Sequence, residues 1–254
     1  MRTIDLIIPT NWIDLSNKQL LFIAKLFVSD FAKYRMQFLT HVFIFFSGAR
    51  VIGDPHLSFY LVKFKKQKLV ELPVSMVASM ANKLDWILSD VTELKPLKRI
   101  FFALPVNYRM YNTLFEQFLT AENYYIAFSE TKEIKYLNML VASLYSLPFQ
   151  RFNSKKIVKR SKWFSLVSLA VKYTVFLWYT GFRTYISNEC PDLFSVAPKT
   201  KKKSKLVIKT HIMSFVRGLT EGDVTKTNAV YKSDTWAALY ELNEKAKEGT
   251  KKKQ

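Results

Sequence analysis

Glycine and proline are thin in this chain, six and eight respectively in 254 residues. A turn-rich all-β fold draws heavily on both, because tight turns use residues that tolerate positive φ or arrive with φ already set. A phosphate-cradling loop has little material either, and no GxxxxGK[ST], GxGxxG or GxSxG occurs. Nucleotide hydrolysis is not expected of this chain.

Cysteine is rarer still. Cys190 stands alone, so no intrachain disulfide can form and no Cys/His set can hold zinc, which suits a reducing compartment. The three histidines, His41, His56 and His211, are far apart and without metal spacing. Acidic residues are outnumbered, 20 against 39 Lys and Arg. The carboxylates Glu130 and Glu133, at helical spacing, are interleaved with Lys132 and Lys135, the pattern of a solvated helix face and not of a general acid with its base. The reading therefore predicts a non-enzyme with no catalytic residues, no metal site and no cofactor. The segment from Met1 to Pro9 carries Arg2 and Asp5 and has no small-residue cleavage site, so no secretory signal is expected and the protein is placed inside the cell.

What the chain has in quantity is apolar bulk: 49% hydrophobic and 15% aromatic residues, enough for a substantial core. Its spacing predicts an α-dominated fold, mainly all-α, with one small β-hairpin. Ser16 and Gln19 have capping-box spacing ahead of Leu20, Ile23, Ala24 and Phe27, which start a first helix. A second is expected from Ser29 or Asp30 through Phe31, Phe38, Val42 and Phe45 to Gly48. LSFYLVKF and LVEL, split by Lys65-Lys66-Gln67-Lys68, read as the hairpin near residues 57 to 73. Helical spacing returns at Val77 to Ile87, at Leu114 to Ile126, and at Ile134 to Leu144, the last with Ser129 or Thr131 as its expected cap.

The stretch from Trp163 to Phe182 is long enough for a membrane span and holds one charge, Lys172. That lysine sits near its middle, where insertion costs about 2.5 to 3.5 kcal/mol, so a buried core helix is expected, with a span as the alternative. Beyond it lies a lysine-rich segment, 197–205, read as a mobile linker between a body of residues 1–196 and a C-terminal helical unit of residues 206–254 with a basic tail.

Charge is concentrated as well as positive. The net value is +19, and between Arg151 and Lys209 fourteen Lys or Arg face only Glu189 and Asp192. Such a field attracts phosphate or an acidic surface. Lys155, Lys156, Lys159, Arg160, Lys162, Lys201, Lys202, Lys203 and Lys205 are the candidate nucleic-acid or anion contacts. Phe149, Phe152, Trp163 and Phe164 interleave with the first five, and rings of this kind can stack on bases. DNA or RNA is thus one partner class. The other is protein: Val224, Val230, Tyr231, Trp236, Leu239, Tyr240 and Leu242 would form an amphipathic docking face on the C-terminal helices.

Three stretches carry a resemblance: PTNWIDLSNKQLLFIAKLF, then FSETKEIKYLNMLVASLY, then LTEGDVTKT followed by WAALYELNEKAKE. Together they resemble uncharacterised proteins of phages and prophages of Bacteroides-type bacteria. The resemblance implies a late-gene product, a tail-assembly chaperone or minor virion component, that binds other phage structural or assembly proteins in the host cytoplasm or in the virion. Common tail chaperones are neutral or acidic, and this chain departs from them in its basic charge.

Overall fold

A computed structural model describes residues 8–52, 59–64, 69–195 and 205–251. Among them are eleven α-helices and five short strands, so the fold is mainly α. The chain divides into two compact units, Met1–Thr92 with Leu169–Thr174, and Glu93–Ser168 with Val175–Gln254.

In the first unit, helix α1 (Asn17–Phe27) begins at the expected capping box: the Ser16 Oγ accepts from the Gln19 N–H at 3.3 Å and the Gln19 Oε1 from the Ser16 N–H at 2.9 Å. Its buried stripe is Leu20, Ile23, Ala24 and Leu26. Helix α2 (Arg35–Ser47) starts later than its apolar pattern suggests, because Asp30–Lys33 forms a separate 3₁₀ turn and Tyr34 is extended. It ends where expected, at Gly48, whose φ of 67° is open to a residue without Cβ. Strands β1 (Ala49–Val51), β2 (Phe59–Phe64) and β3 (Leu69–Pro73) form an antiparallel sheet in that order, with Val51 opposite Val62 and Val62 opposite Val70. The expected hairpin is β2 and β3; β1 is an additional strand. Helix α3 (Val74–Asn82) follows directly. Trp12 and Trp86 meet edge to face at 5.6 Å.

The second unit is built on a hairpin of α4 (Phe115–Thr131) and α5 (Ile134–Leu144). Ser129 and Thr131, expected to cap α5, instead occupy the last turn of α4; the break falls at Lys132, whose left-handed φ of 56° ends α4. Two-residue strands β4 (Leu104–Pro105) and β5 (Tyr145–Ser146) pair antiparallel at the end of α5. Then come α6 (Ile157–Phe164), α7 (Leu169–Glu189, of which Leu169–Thr174 belongs to the first unit), α8 (Pro191–Ser195), α9 (Lys205–Thr220), α10 (Thr227–Lys232) and α11 (Thr235–Lys251).

The stretch from Trp163 to Phe182 is therefore not one helix. α6 stops at Phe164, and a new helix begins at Leu169. Its core role is continuous only in the later part: Val175, Leu177, Trp178, Tyr179 and Phe182 are buried, while in the earlier part Phe164 and Val167 are buried but Trp163 and Leu166 are exposed. Among the described residues no helix is long and apolar enough to cross a membrane.

The C-terminal helices are not an appended unit either. Thr235 N–H and Oγ1 both donate to the Thr113 carbonyl, at 2.8 and 2.7 Å, and the Phe115 N–H donates to the Ser233 carbonyl at 2.9 Å. Trp236 Nε1 donates to the Arg109 carbonyl at 2.7 Å, and Asn243 accepts from the Leu193 N–H at 3.1 Å. Gly218 lets α9 close on α11, since a Cβ there would meet Leu242 at 3.2 Å. The apolar stripe that suggested a free docking surface is what holds α11 to its own unit. The linker expected at 197–205 lies outside the described residues apart from Lys205.

Buried aromatics dominate this core. Phe118, Tyr125, Tyr179 and Phe182, with the half-buried Phe176, make successive ring contacts at 5.0 to 6.5 Å. Among them sits one carboxylate, Glu122, 3% exposed. Its Oε1 pairs with Arg183 at 3.1 Å and its Oε2 accepts from the Tyr179 hydroxyl at 3.2 Å, so the buried charge is both balanced and hydrogen-bonded.

Candidate nucleic-acid interface

Two tight turns and one helix make a groove of about 650 Å³ in the second unit. The first turn is Ile100–Ala103, closed by reciprocal backbone bonds of 3.0 Å between its end residues. Phe101 and Phe102 form its tip and are exposed, Phe102 at 82%. The second turn runs from Leu147 to Gln150, with the Gln150 N–H on the Leu147 carbonyl at 3.2 Å. Pro148 pre-sets the turn, and Phe149 follows with φ of 64°, where glycine is the usual occupant. Phe101 is also left-handed, at 52°. Such backbones cost a non-glycine residue about 1 kcal/mol or more, and here both carry an exposed phenylalanine.

The β4·β5 pairing explains why the turns are neighbours. β4 starts immediately after Ala103 and β5 ends immediately before Leu147, with Leu104 opposite Ser146. Two residue pairs thus set both tips at the same end of the small sheet.

The third wall is α6. Asn153 accepts from the Lys155 N–H at 3.0 Å, opening a 3₁₀ turn that leads into the helix, and the Ser154 hydroxyl bonds to Glu116 on α4. Lys156, Lys159, Arg160 and Trp163 recur at i, i+3, i+4 and i+7, so they share one helical face, and that face lines the groove. Ile157 and Phe164 are buried. With Arg151 on the approach to the helix, four cations line the groove together with Phe101, Phe102, Phe152 and Trp163, and no Asp or Glu lines it among the described residues.

The structure thus sorts the basic run. Lys156, Lys159 and Arg160 line the groove, while Lys155 and Lys162 are exposed outside it. Lys201, Lys202 and Lys203 lie outside the described residues, as does the side chain of Lys205. Of the interleaved aromatics, Phe152, Trp163 and Phe164 line the groove, with Trp163 74% exposed. Phe149 projects from the second turn into solvent.

Sequence reasoning missed Phe101, Phe102, Gln150 and Arg151. Their signal was present: an aromatic pair next to Lys98-Arg99, between Pro96 and Pro105, is an unusual pattern for a core segment. The docking residues fare differently. Trp236, Leu239 and Leu242 are buried, Val230 and Tyr231 are half-buried, and only Val224 and Tyr240 are exposed. Among the described residues no group of three or more His, Cys, Asp or Glu could hold a metal ion.

Comparison with protein-family models, with curated proteins and with solved structures finds no match to this chain.

Proposed function

We propose that this chain binds single-stranded nucleic acid in the groove between the two phenylalanine turns and α6. One observation carries the reading: exposed rings and four cations line a single concavity, and no carboxylate lines it. Lysine and arginine meet the phosphates while Phe101, Phe102 and Trp163 offer faces on which bases stack, each worth about 1 to 3 kcal/mol. Base faces are open only where bases are unstacked, so a single strand suits the rings and a duplex does not. The groove also has the size of an ordinary ligand cleft, where roughly 300 to 1,000 Å³ is usual. A protein-docking role leans on Trp236, Leu239 and Leu242, which the second unit uses for its own core.

The test is fluorescence anisotropy with a labelled fifteen-nucleotide oligo-dT and its duplex. Four phosphate contacts on a single strand lower affinity about 50-fold between about 50 and 200 mM salt. The single strand should bind more tightly than the duplex, and Lys156→Glu with Lys159→Glu should abolish binding. Equal affinity for the duplex, or binding only to anionic vesicles, would overturn the reading and, in the second case, point to a membrane surface.

A further inference from the structure

Three arginines of the second unit are neither exposed nor fully buried: Arg109, Arg160 and Arg183. Two of them have a carboxylate. Arg109 Nε donates to Glu93 at 2.6 Å and its Nη2 to the second oxygen at 3.1 Å, and Arg183 holds Glu122. Arg160 has no carboxylate among the described residues. Its Nη2 donates to the Ala142 carbonyl near the end of α5, and its Nε is buried without any partner. Burial alone pulls its pKa below the ordinary guanidinium value, the sign expected of a cation that has lost water and gained no counter-charge.

We infer that Arg160 is the phosphate anchor of the groove, a partly desolvated guanidinium that an oxygen of the nucleic-acid backbone neutralises on binding. The inference rests on the nucleic-acid reading and deepens it. Lys156 and Lys159 are exposed, so their attraction is weakened by water and salt. Arg160 stands on the groove wall with one arm held by a carbonyl, which fixes the plane of its fork before the ligand arrives. A planar fork with fixed orientation matches phosphate oxygens better than a mobile ammonium does. A cation already stripped of water also gains more from an incoming anion, because part of the desolvation cost is met on folding.

The experiment compares full-length wild type, Arg160→Gln, Arg160→Lys and Lys162→Ala for the same labelled oligo-dT across a salt series. Glutamine keeps a donor for the Ala142 carbonyl and removes the charge. Its affinity should fall about tenfold or more, and the slope of log affinity against log salt should lessen by about 0.7, the value of one single-strand phosphate contact. Lysine keeps the charge and should keep the wild-type slope at a lower affinity, while Lys162→Ala should stay within about threefold of wild type. On an oligo-dT with an uncharged methylphosphonate backbone, wild type and Arg160→Gln should bind alike.

An unchanged slope in Arg160→Gln overturns the assignment even if affinity falls, because a purely structural clamp on Ala142 would lower affinity without removing a counterion. The groove would then still stand as a nucleic-acid site if Lys156→Glu with Lys159→Glu abolished binding. No binding by wild type overturns both readings. Should Arg160→Gln fail to fold, Arg160→Lys decides on both oligonucleotides: reduced affinity for oligo-dT with wild-type affinity for the methylphosphonate strand supports the anchor, and unreduced affinity, or an equal loss on both strands, overturns it.

Discussion

Two aromatic-rich segments of the second unit use their rings in opposite ways. Between residues 175 and 186, Trp178, Tyr179 and Phe182 are buried, and the indole N–H of Trp178 is satisfied by the Tyr108 carbonyl at 3.1 Å. Between residues 147 and 166, Phe164 is buried but Phe149 and Trp163 stand in solvent. The half-buried arginines divide in the same way, Arg183 paired with a carboxylate and Arg160 not. Rings and charges that are mutually satisfied mark a core. Rings and charges left open on one groove mark a surface with something still to bind.

The sharpest way to break that contrast is a pair of tryptophan truncations. Trp178→Ala should destabilise the protein by about 3 to 5 kcal/mol in denaturant unfolding, from lost burial and the cavity left behind. Trp163→Ala should change stability by less than about 0.5 kcal/mol. Its oligo-dT affinity should drop by about 1 to 3 kcal/mol instead. If both destabilise equally, the two segments are one kind of structure and the groove reading fails.

Next in size is Glu122→Ala. It strands Arg183 and the Tyr179 hydroxyl inside the core, and about 3 kcal/mol of stability should be lost, the low end for a broken buried pair because Arg183 keeps some contact with water. Oligo-dT affinity measured well below the melting temperature should not move.

Alkaline unfolding offers a smaller, graded test. Burial raises the pKa of Tyr145, and burial next to the Glu122 carboxylate raises that of Tyr179, both above the ordinary value of 10.0. A raised folded-state pKa means stability is fully present below pH 10 and is lost as pH climbs beyond it. Each tyrosine should contribute a loss of about 1.4 kcal/mol per pH unit there, read as a fall in unfolding free energy. Tyr145→Phe should flatten part of that slope while leaving the Leu97 carbonyl without its 2.9 Å donor.

The smallest effect concerns Phe149. Phe149→Gly should stabilise the turn by up to about 1 kcal/mol, since φ of 64° suits glycine and the exposed ring loses no packing. A destabilised variant would show that the ring packs on something and is not held open.

Much of the fold was legible from local spacing. The Ser16–Gln19 box, the stop at Gly48 and the β2–β3 hairpin all lie within a few residues of the positions that announce them. Errors arose where apolar periodicity ran on past a break. Trp163 to Phe182 reads as one helix although the chain breaks near Ser165, because composition alone does not register a change of direction. The C-terminal stripe was read as free because an amphipathic face looks the same whether it meets a partner or its own core.

By itself the sequence determined where most of the helical segments lie, the capping box at Ser16, and that a strongly basic run with interleaved rings follows residue 148. Those properties depend on backbone geometry and side chains within one or two turns. Only the tertiary structure decided that Lys156, Lys159, Arg160 and Trp163 share a groove with Phe101 and Phe102 while Lys155 and Lys162 do not. That choice depends on a two-residue pairing of β4 with β5, which joins segments about forty residues apart in sequence. Contacts of such separation leave no periodic trace, because their energy comes from closing a long loop and not from any local preference.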